Sequence, residues 1–223
     1  NLNRSFTSKL QIKNKLKSLG LLPLYSDNPK IPYLLKIMGF IFGDGSLSIK
    51  KNVQTGFYGN NKDLLIIKKD IEKIGFRSHL FKRHRHHKMK TQYKEYEFNR
   101  IEYSLHCVSS ALSILLYLLE TPEGNKAKQE YDIPKWIMNS PKWYKRLFLA
   151  SLFGAELSSP RTLTNHLFNF YGPIYSINKN NILHGVNFMN QISALLDEFG
   201  IRNILIKNRV DELNGKSLNR IRL

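Results

Sequence analysis

Two carboxylates stand where apolar segments end. Residues 34–48, LLKIMGFIFGDGSLS, run apolar for ten positions with only Lys36 interrupting, and then deliver Gly43, Asp44 and Gly45. Residues 141–160, PKWYKRLFLASLFGAELSSP, deliver Glu156 in the equivalent place. Taken alone, GDGS suits a glycine cap and a turn. Two equivalent acids shift the balance toward chemistry. Gly39 and Gly43 lie four apart on one helix face, and Ser151 and Ala155 occupy the matching places. Small residues at that spacing let two helices approach closely. Packed side by side and pointing the same way, the helices bring Asp44 and Glu156 out together at one end. Two such carboxylates repel unless a cation or a shared proton lies between them. A divalent ion such as Mg²⁺, held by carboxylates, backbone carbonyls and water, meets that need.

The elements that must position these acids repeat along the chain. An amphipathic helix is predicted over 5–19, then the Pro-punctuated connector LLPLYSDNPKIP, then a buried helix over 33–43 with Pro32 at its first position. Strands follow near 46–58, a helix near 61–74, strands near 77–89 and 93–107, and an apolar helix near 109–120. Residues 121–141, rich in Pro and Gly, read as a linker. Ser140 and Pro141 then open a second helix as cap and first residue. Asp44 maps to Glu156 at an offset of 112, FYG at 57–59 recurs at 170–172, and GFRSHLFKR at 75–83 recurs loosely as GIRNILIKNR from 200. Order is kept while the offset grows, which predicts a tandem duplication with a longer loop within 173–187.

Composition bounds the partners. The 223 residues carry 35 Lys and Arg against 17 acids, a formal charge of +18, with 42% hydrophobic residues. Such a chain buries a core and attracts polyanions, nucleic acid first. With no uninterrupted apolar run of about 18 residues, a membrane partner is not expected. Cys107 is the single cysteine, which excludes a disulfide framework and a Cys-based zinc site and fits a reducing compartment; with a nucleic-acid partner, the expected place is an intracellular, DNA-containing one. The chain opens on Asn1 rather than Met and shows no signal-peptide pattern, as a trimmed sequence would. No splice-junction residues flank it, which leans against an intein-embedded copy.

IMGFIFGDG (37–45) and LASLFGAEL (149–157), in their settings NPKIPYLLKIMGFIFGDGSLS and KRLFLASLFGAELSSP, resemble the two signature motifs of the LAGLIDADG homing endonucleases in their single-chain form. The resemblance covers about residues 20–210. It implies an α+β fold of two pseudo-symmetric αββαββα halves, with the motif helices at the interface and curved antiparallel sheets making a saddle over DNA. The division is then 1–31 for the N-terminal helix and connector, 32–120 for the first half, 121–140 for the linker and 141–223 for the second half. It also implies that Asp44 and Glu156 hold Mg²⁺, with Mn²⁺ or Ca²⁺ as substitutes, beside the carbonyls of Gly43 and Ala155. Divalent ions there would lower the pKa of an attacking water and stabilise the departing 3′ oxygen. The implied partner is double-stranded DNA with a long, pseudo-palindromic target, cut on both strands across one minor groove by a monomer. The family places a basic residue near each scissile phosphate, and the internal repeat points to Lys82 and Lys207. The plainer reading of both is surface solvation or a phosphate contact.

Alternation over 77–105 puts Arg77, His79, Phe81, Arg83 and Arg85 on one face and Lys82, His84 and His86 on the other. A two-stranded ribbon so furnished fits a major groove, and Gln54, Arg77, Arg83, Arg85, Gln92, Arg100, Asn203, Arg209 and Arg220 are the expected contacts. His84, His86 and His87 make a poor zinc site, because acids and Cys are missing from the sequence around them. Ser151, in place of the usual Gly, must find a hydroxyl partner at the seam, and Leu157 replaces the motif's closing Gly. After Arg209 only 14 residues remain, so the counterpart of helix 109–120 is absent and the second half is trimmed, loosely closed, or completed by the N-terminal helix. The rival to a nuclease is a non-cleaving intron maturase or nucleic-acid-binding regulator with the same fold. A structural RNA-binding protein explains the charge but not the duplicated acids.

Overall fold

The computed structural model describes residues 6–50, 52–90, 93–156, 161–164, 167–169, 174–177, 181–202, 207–213 and 216–222. The fold is α+β. Helix α1 (Phe6–Ser18) leads to α2 (Ile31–Phe42), β1 (Gly45–Ser48), β2 (Gln54–Gly59), α3 (Asn61–Lys73), β3 (His79–Lys90), β4 (Glu95–Cys107) and α4 (Ser110–Leu118). A short α5 (Lys135–Met138) precedes α6 (Lys142–Glu156), β5 (Arg161–Thr164), β6 (Leu167–Asn169), β7 (Ile174–Ile177), α7 (Ile182–Asp197), β8 (Lys207–Leu213) and β9 (Lys216–Arg222).

The first sheet is antiparallel in the order β1-β2-β4-β3, and β7-β9-β8 repeats its inner arrangement, with β5-β6 as a separate hairpin. Strand alternation gives the first sheet two unlike faces. Leu47, Thr55, Phe57, Leu105 and Cys107 are buried on one face. There Phe57 meets Phe40 of α2, with ring centroids 5.8 Å apart, and the Thr55 hydroxyl lies 3.2 Å from that of Ser113 on α4. Tyr58, Phe81 and His106 lie on the opposite face, their rings packed edge to face around His106. Helices therefore cover one side, and the other is open.

The two helix stops of α3 and α7 match each other, as the expected repeat requires. Gly75 at φ +98° donates its N–H to Glu72 O (3.0 Å) and Phe76 N donates to Ile71 O (3.1 Å). At the same spacing, Gly200 at φ +77° donates to Asp197 O (2.9 Å) and Ile201 N to Leu196 O (3.1 Å). Both are left-handed helix stops, a conformation that glycine adopts without a Cβ penalty. The FYG repeat at 170–172 lies outside the described residues.

Helices α2 and α6 pack along their length. A Cβ on Gly39 would collide with the Phe148 carbonyl oxygen, and one on Gly43 would lie 2.7 Å from Ala155 Cβ. The Ser151 hydroxyl finds its partner by donating to Lys36 O at 2.5 Å. Gly39→Ala is expected to destabilise the fold by about 2 kcal/mol through overpacking, against the roughly 1 kcal/mol that helix propensity alone would add. Gly154→Ala, on the same α6 but with nothing within 4 Å of a new Cβ, is expected to stabilise by about 0.5–1 kcal/mol. Chemical denaturation of the two variants checks the contrast.

Two sequence expectations need correction here. Residues 121–141 are not a passive linker: they contain a 3-10 turn (Lys126–Lys128) and α5, and they bury Ile133 and Ile137. The segment also ties both repeats together, with Gly124 N donating to Leu47 O at 2.8 Å and Ile133 N to Gln191 Oε1 at 2.7 Å. Nor, among the described residues, is the N-terminal helix seen to complete the second half. It packs on α4 of the first, with Leu16 buried and the Leu19 side chain against Gly75.

Candidate active site

Helix α2 is apolar except at Lys36 and has no basic residue in its last turn. Its final carbonyls therefore emerge into a buried environment without a local partner. Lys126 supplies one. Its ammonium donates to Ile41 O (2.7 Å), Phe42 O (3.1 Å) and Gly43 O. Asp44 follows directly, and Glu156, the last residue of α6, comes out at the same end because Gly43 packs on Ala155 and on the Glu156 stem. The two acids and the ammonium thus form one charged cluster at the end of the seam.

Burial sets its electrostatics. The Glu156 carboxyl is held well above the ordinary glutamate range by desolvation and by the charge of Asp44, with Lys126 opposing. Partial desolvation raises Asp44 too, although its side chain keeps an exposed edge, again against Lys126. Desolvation pushes the Lys126 ammonium below the ordinary lysine value while both acids pull it back. An aromatic wall supplies the low dielectric: Phe188 stacks on Phe42 and meets Tyr131 and Tyr175 edge-on at 5.0 and 4.9 Å. Burial raises both phenols well above their usual value.

Carboxylate and carbonyl oxygens are hard ligands of the kind Mg²⁺ takes. One ammonium against two ionised acids leaves a residual negative charge, and a divalent cation would offset both the desolvation and the Asp44 repulsion that raise the Glu156 pKa. The donor set therefore fits such an ion. Among the described residues, no group of three or more His, Cys, Asp or Glu side chains is placed to hold a metal by itself.

A cleft of about 540 Å³ opens on Asp44 and is lined by Tyr58, Arg85, Arg100, Glu102 and Ala155, among others. Arg85 and Arg100 are direct cross-strand partners, so the structure brings two of the expected contacts to the acid. Arg83 and Arg85 share the face of Phe81, whereas Lys82 shares that of Leu80 and is paired with Tyr103. Arg77 is exposed in the turn after α3, lining a groove with Lys68 and His79. Gln54 opens β2 opposite Ser48. Lys207 opens β8 in register with Arg222, and Arg209 is in register with Arg220 two residues further along. Gln92 and Asn203 lie outside the described residues. The histidines do have acids near them, contrary to the sequence expectation: β4 brings Glu97 to 3.1 Å from His86 Nε2 and Glu102 to 2.9 Å from His87 Nε2. Cross-strand register, invisible to a search along the chain, is the reason.

Lys126 is the functional candidate that sequence reading passed over. Its signal was indirect: an apolar helix with no cation of its own at the C-terminus, followed by a segment dense in lysine.

No family model matches the chain. It is 35% identical over 205 residues to the tRNA-splicing ligase RtcB of Pyrococcus furiosus, covering 88% of this chain and 20% of that protein. It is 36% identical over 212 residues to the DNA-directed RNA polymerase subunit Rpo1N of Methanocaldococcus jannaschii, covering 93% of this chain and 16% of that one. The chain thus spans a fifth or less of the length of these relatives. Among solved structures it is similar to the homing endonuclease I-WcaI bound to its DNA recognition sequence, with a TM-score of 0.44 and 14% identity over 99% of this chain and 83% of that one. Among the described residues, no helix is long and apolar enough to cross a membrane.

Proposed function

We propose that this chain is a site-specific double-strand DNA endonuclease of the LAGLIDADG type, hydrolysing phosphodiesters with a divalent cation held by Asp44 and Glu156. The observation that carries the reading is the convergence of two acids, one from each copy of a duplicated unit, at the end of a glycine-packed seam. When bound, the cation would lower the pKa of an attacking water and stabilise the leaving 3′ oxygen. The residues themselves do the positioning. Lys126 locks the α2 terminus through three carbonyls and so fixes the backbone from which Asp44 projects. Arg85 and Arg100 put positive charge in the cleft beside Asp44, where a phosphate would be gripped. The open sheet face, with Tyr58, Phe81 and His106, lies against the duplex.

The comparisons support this reading through their mismatch in name. One segment matches both a ligase and a polymerase subunit while making up 20% and 16% of each. A segment shared by proteins with such different names behaves as an insert that moves between genes, and a nuclease that cuts the uninterrupted site is the activity such an insert needs. Ligase or polymerase chemistry is not assigned to it, and the sequence-based lean against an embedded copy loses its force. The non-cleaving rival draws on one observation: Lys126 already gives the acids a resident cation.

Selection of cut sites from a randomised plasmid library, with Mg²⁺ and then with EDTA, tests the proposal. A single long site cut on both strands only with metal is the expected result. Tight binding without cutting in Mg²⁺ and Mn²⁺ alike would hand the function to the rival.

A further inference from the structure

The surplus positive charge is not spread evenly. At the outer end of the β3–β4 ribbon, glutamates of β4 neutralise the lysines opposite: Lys88 reaches Glu97 and Lys90 reaches Glu95, each at 2.7 Å. Helix α1 is the opposite case. Its 13 residues carry Lys9, Lys13, Lys15 and Lys17 and no acid, and all four lysines are exposed. None of the four has an ion-pair partner among the described residues.

Lys9, Lys13 and Lys17 follow one another at four-residue steps, so they form a stripe about 12 Å long on one face. Like charges at that spacing weaken a helix rather than support it. The dipole accounts for Lys15 and Lys17 in the last turn, but not for Lys9 and Lys13. Folding does not require the stripe either, since Leu16 is the buried contact of α1 and Ile12 and Leu19 are only partly covered.

Its place in the fold decides what it can touch. Helix α1 packs on α4, and α4 covers the Thr55 face of the first sheet. The open face of Tyr58, Phe81 and His106 is on the other side of that sheet. A duplex lying on the open face therefore does not reach α1. We infer that the Lys9–Lys13–Lys17 stripe is a second DNA-binding surface, gripping phosphates of duplex outside the stretch held by the sheets. The inference rests on the DNA reading given above. Such a surface would hold flanking or neighbouring DNA while the open face samples sequence, and its grip would be independent of sequence.

The test compares wild type with a Lys9→Gln, Lys13→Gln, Lys17→Gln variant on two labelled random-sequence duplexes. One is no longer than the two sheets can span, and the other extends well beyond it at both ends. Binding is followed by fluorescence anisotropy across a salt series, and circular dichroism checks that the helix persists. On the long duplex the variant should lose about tenfold in affinity, and its log K against log salt slope should flatten by about 2 to 3, at roughly 0.9 per phosphate contact. On the short duplex the two proteins should agree, and arginine at the three positions should restore the long-duplex slope. Equal slopes for variant and wild type on the long duplex would overturn the inference while leaving the DNA reading intact. Equal flattening on both duplexes would overturn it too, by placing α1 in the main interface. Wild type that binds neither duplex would sink the DNA reading, and this inference with it.

Discussion

Asp44→Asn and Glu156→Gln are each expected to cut the cognate duplex of the proposed nuclease at least about 10³-fold more slowly than wild type, with affinity for it staying within about threefold. The rate loss is the expected size when a preorganised charge facing the reacting phosphate is removed. Affinity survives because phosphate contacts made by arginines and lysines elsewhere dominate binding. Metal-dependent single-turnover cleavage and anisotropy, run side by side, check both halves. A variant that cuts at the wild-type rate takes its acid out of the site.

Glu156→Gln also carries a pH signature. In the folded chain the Glu156 carboxyl binds its proton more tightly than in the unfolded chain. Over the interval between the ordinary and the raised value the folded state holds more protons, so stability falls as pH rises through that interval. Gln cannot titrate, and the variant's melting temperature should be flatter there than that of wild type. Thermal melts without divalent ions read this directly, and added Mg²⁺ should lessen the wild-type decline.

Lys126→Met is expected to remove about 2–3 kcal/mol of stability, the range for a lost charged hydrogen-bonding group. It leaves three α2 carbonyls without their donor and two acids without their resident counter-charge. Cleavage should fall with it, because Asp44 is then no longer held. Urea denaturation gives the stability change, and cleavage assayed below the onset of unfolding separates the two effects. The elevated Glu156 pKa should climb further in the variant, since Lys126 is the cation that opposes it. Unchanged stability and cutting would reduce Lys126 to a surface lysine.

Much of this architecture is written in local patterns. Pro32 and the apolar run after it predict α2 to within a turn, and the helix expected near 61–74 is α3, whereas α7 has no counterpart among the helices expected from the sequence. Four-residue spacing of Gly39 with Gly43 and Ser151 with Ala155 is enough to foresee a close seam, because helix periodicity decides which residues share a face. The same reasoning places Asp44 and Glu156 at one end. Strands expected near 46–58 are there as β1 and β2, and their register, with Gly45 opposite Phe57, is what hydrogen bonding between them adds.

What tertiary structure alone decided is everything that depends on which distant segment crosses which. Lys126 lies 83 residues from Gly43, whose carbonyl it binds, and no periodicity links them. Glu97 and Glu102 reach the ribbon histidines through cross-strand register, and α1 chose α4 over the second repeat. A sequence carries short-range order openly, in side-chain spacing. Long-range partners are chosen by burial and charge summed over the whole fold, and that sum exists only once the chain has closed on itself.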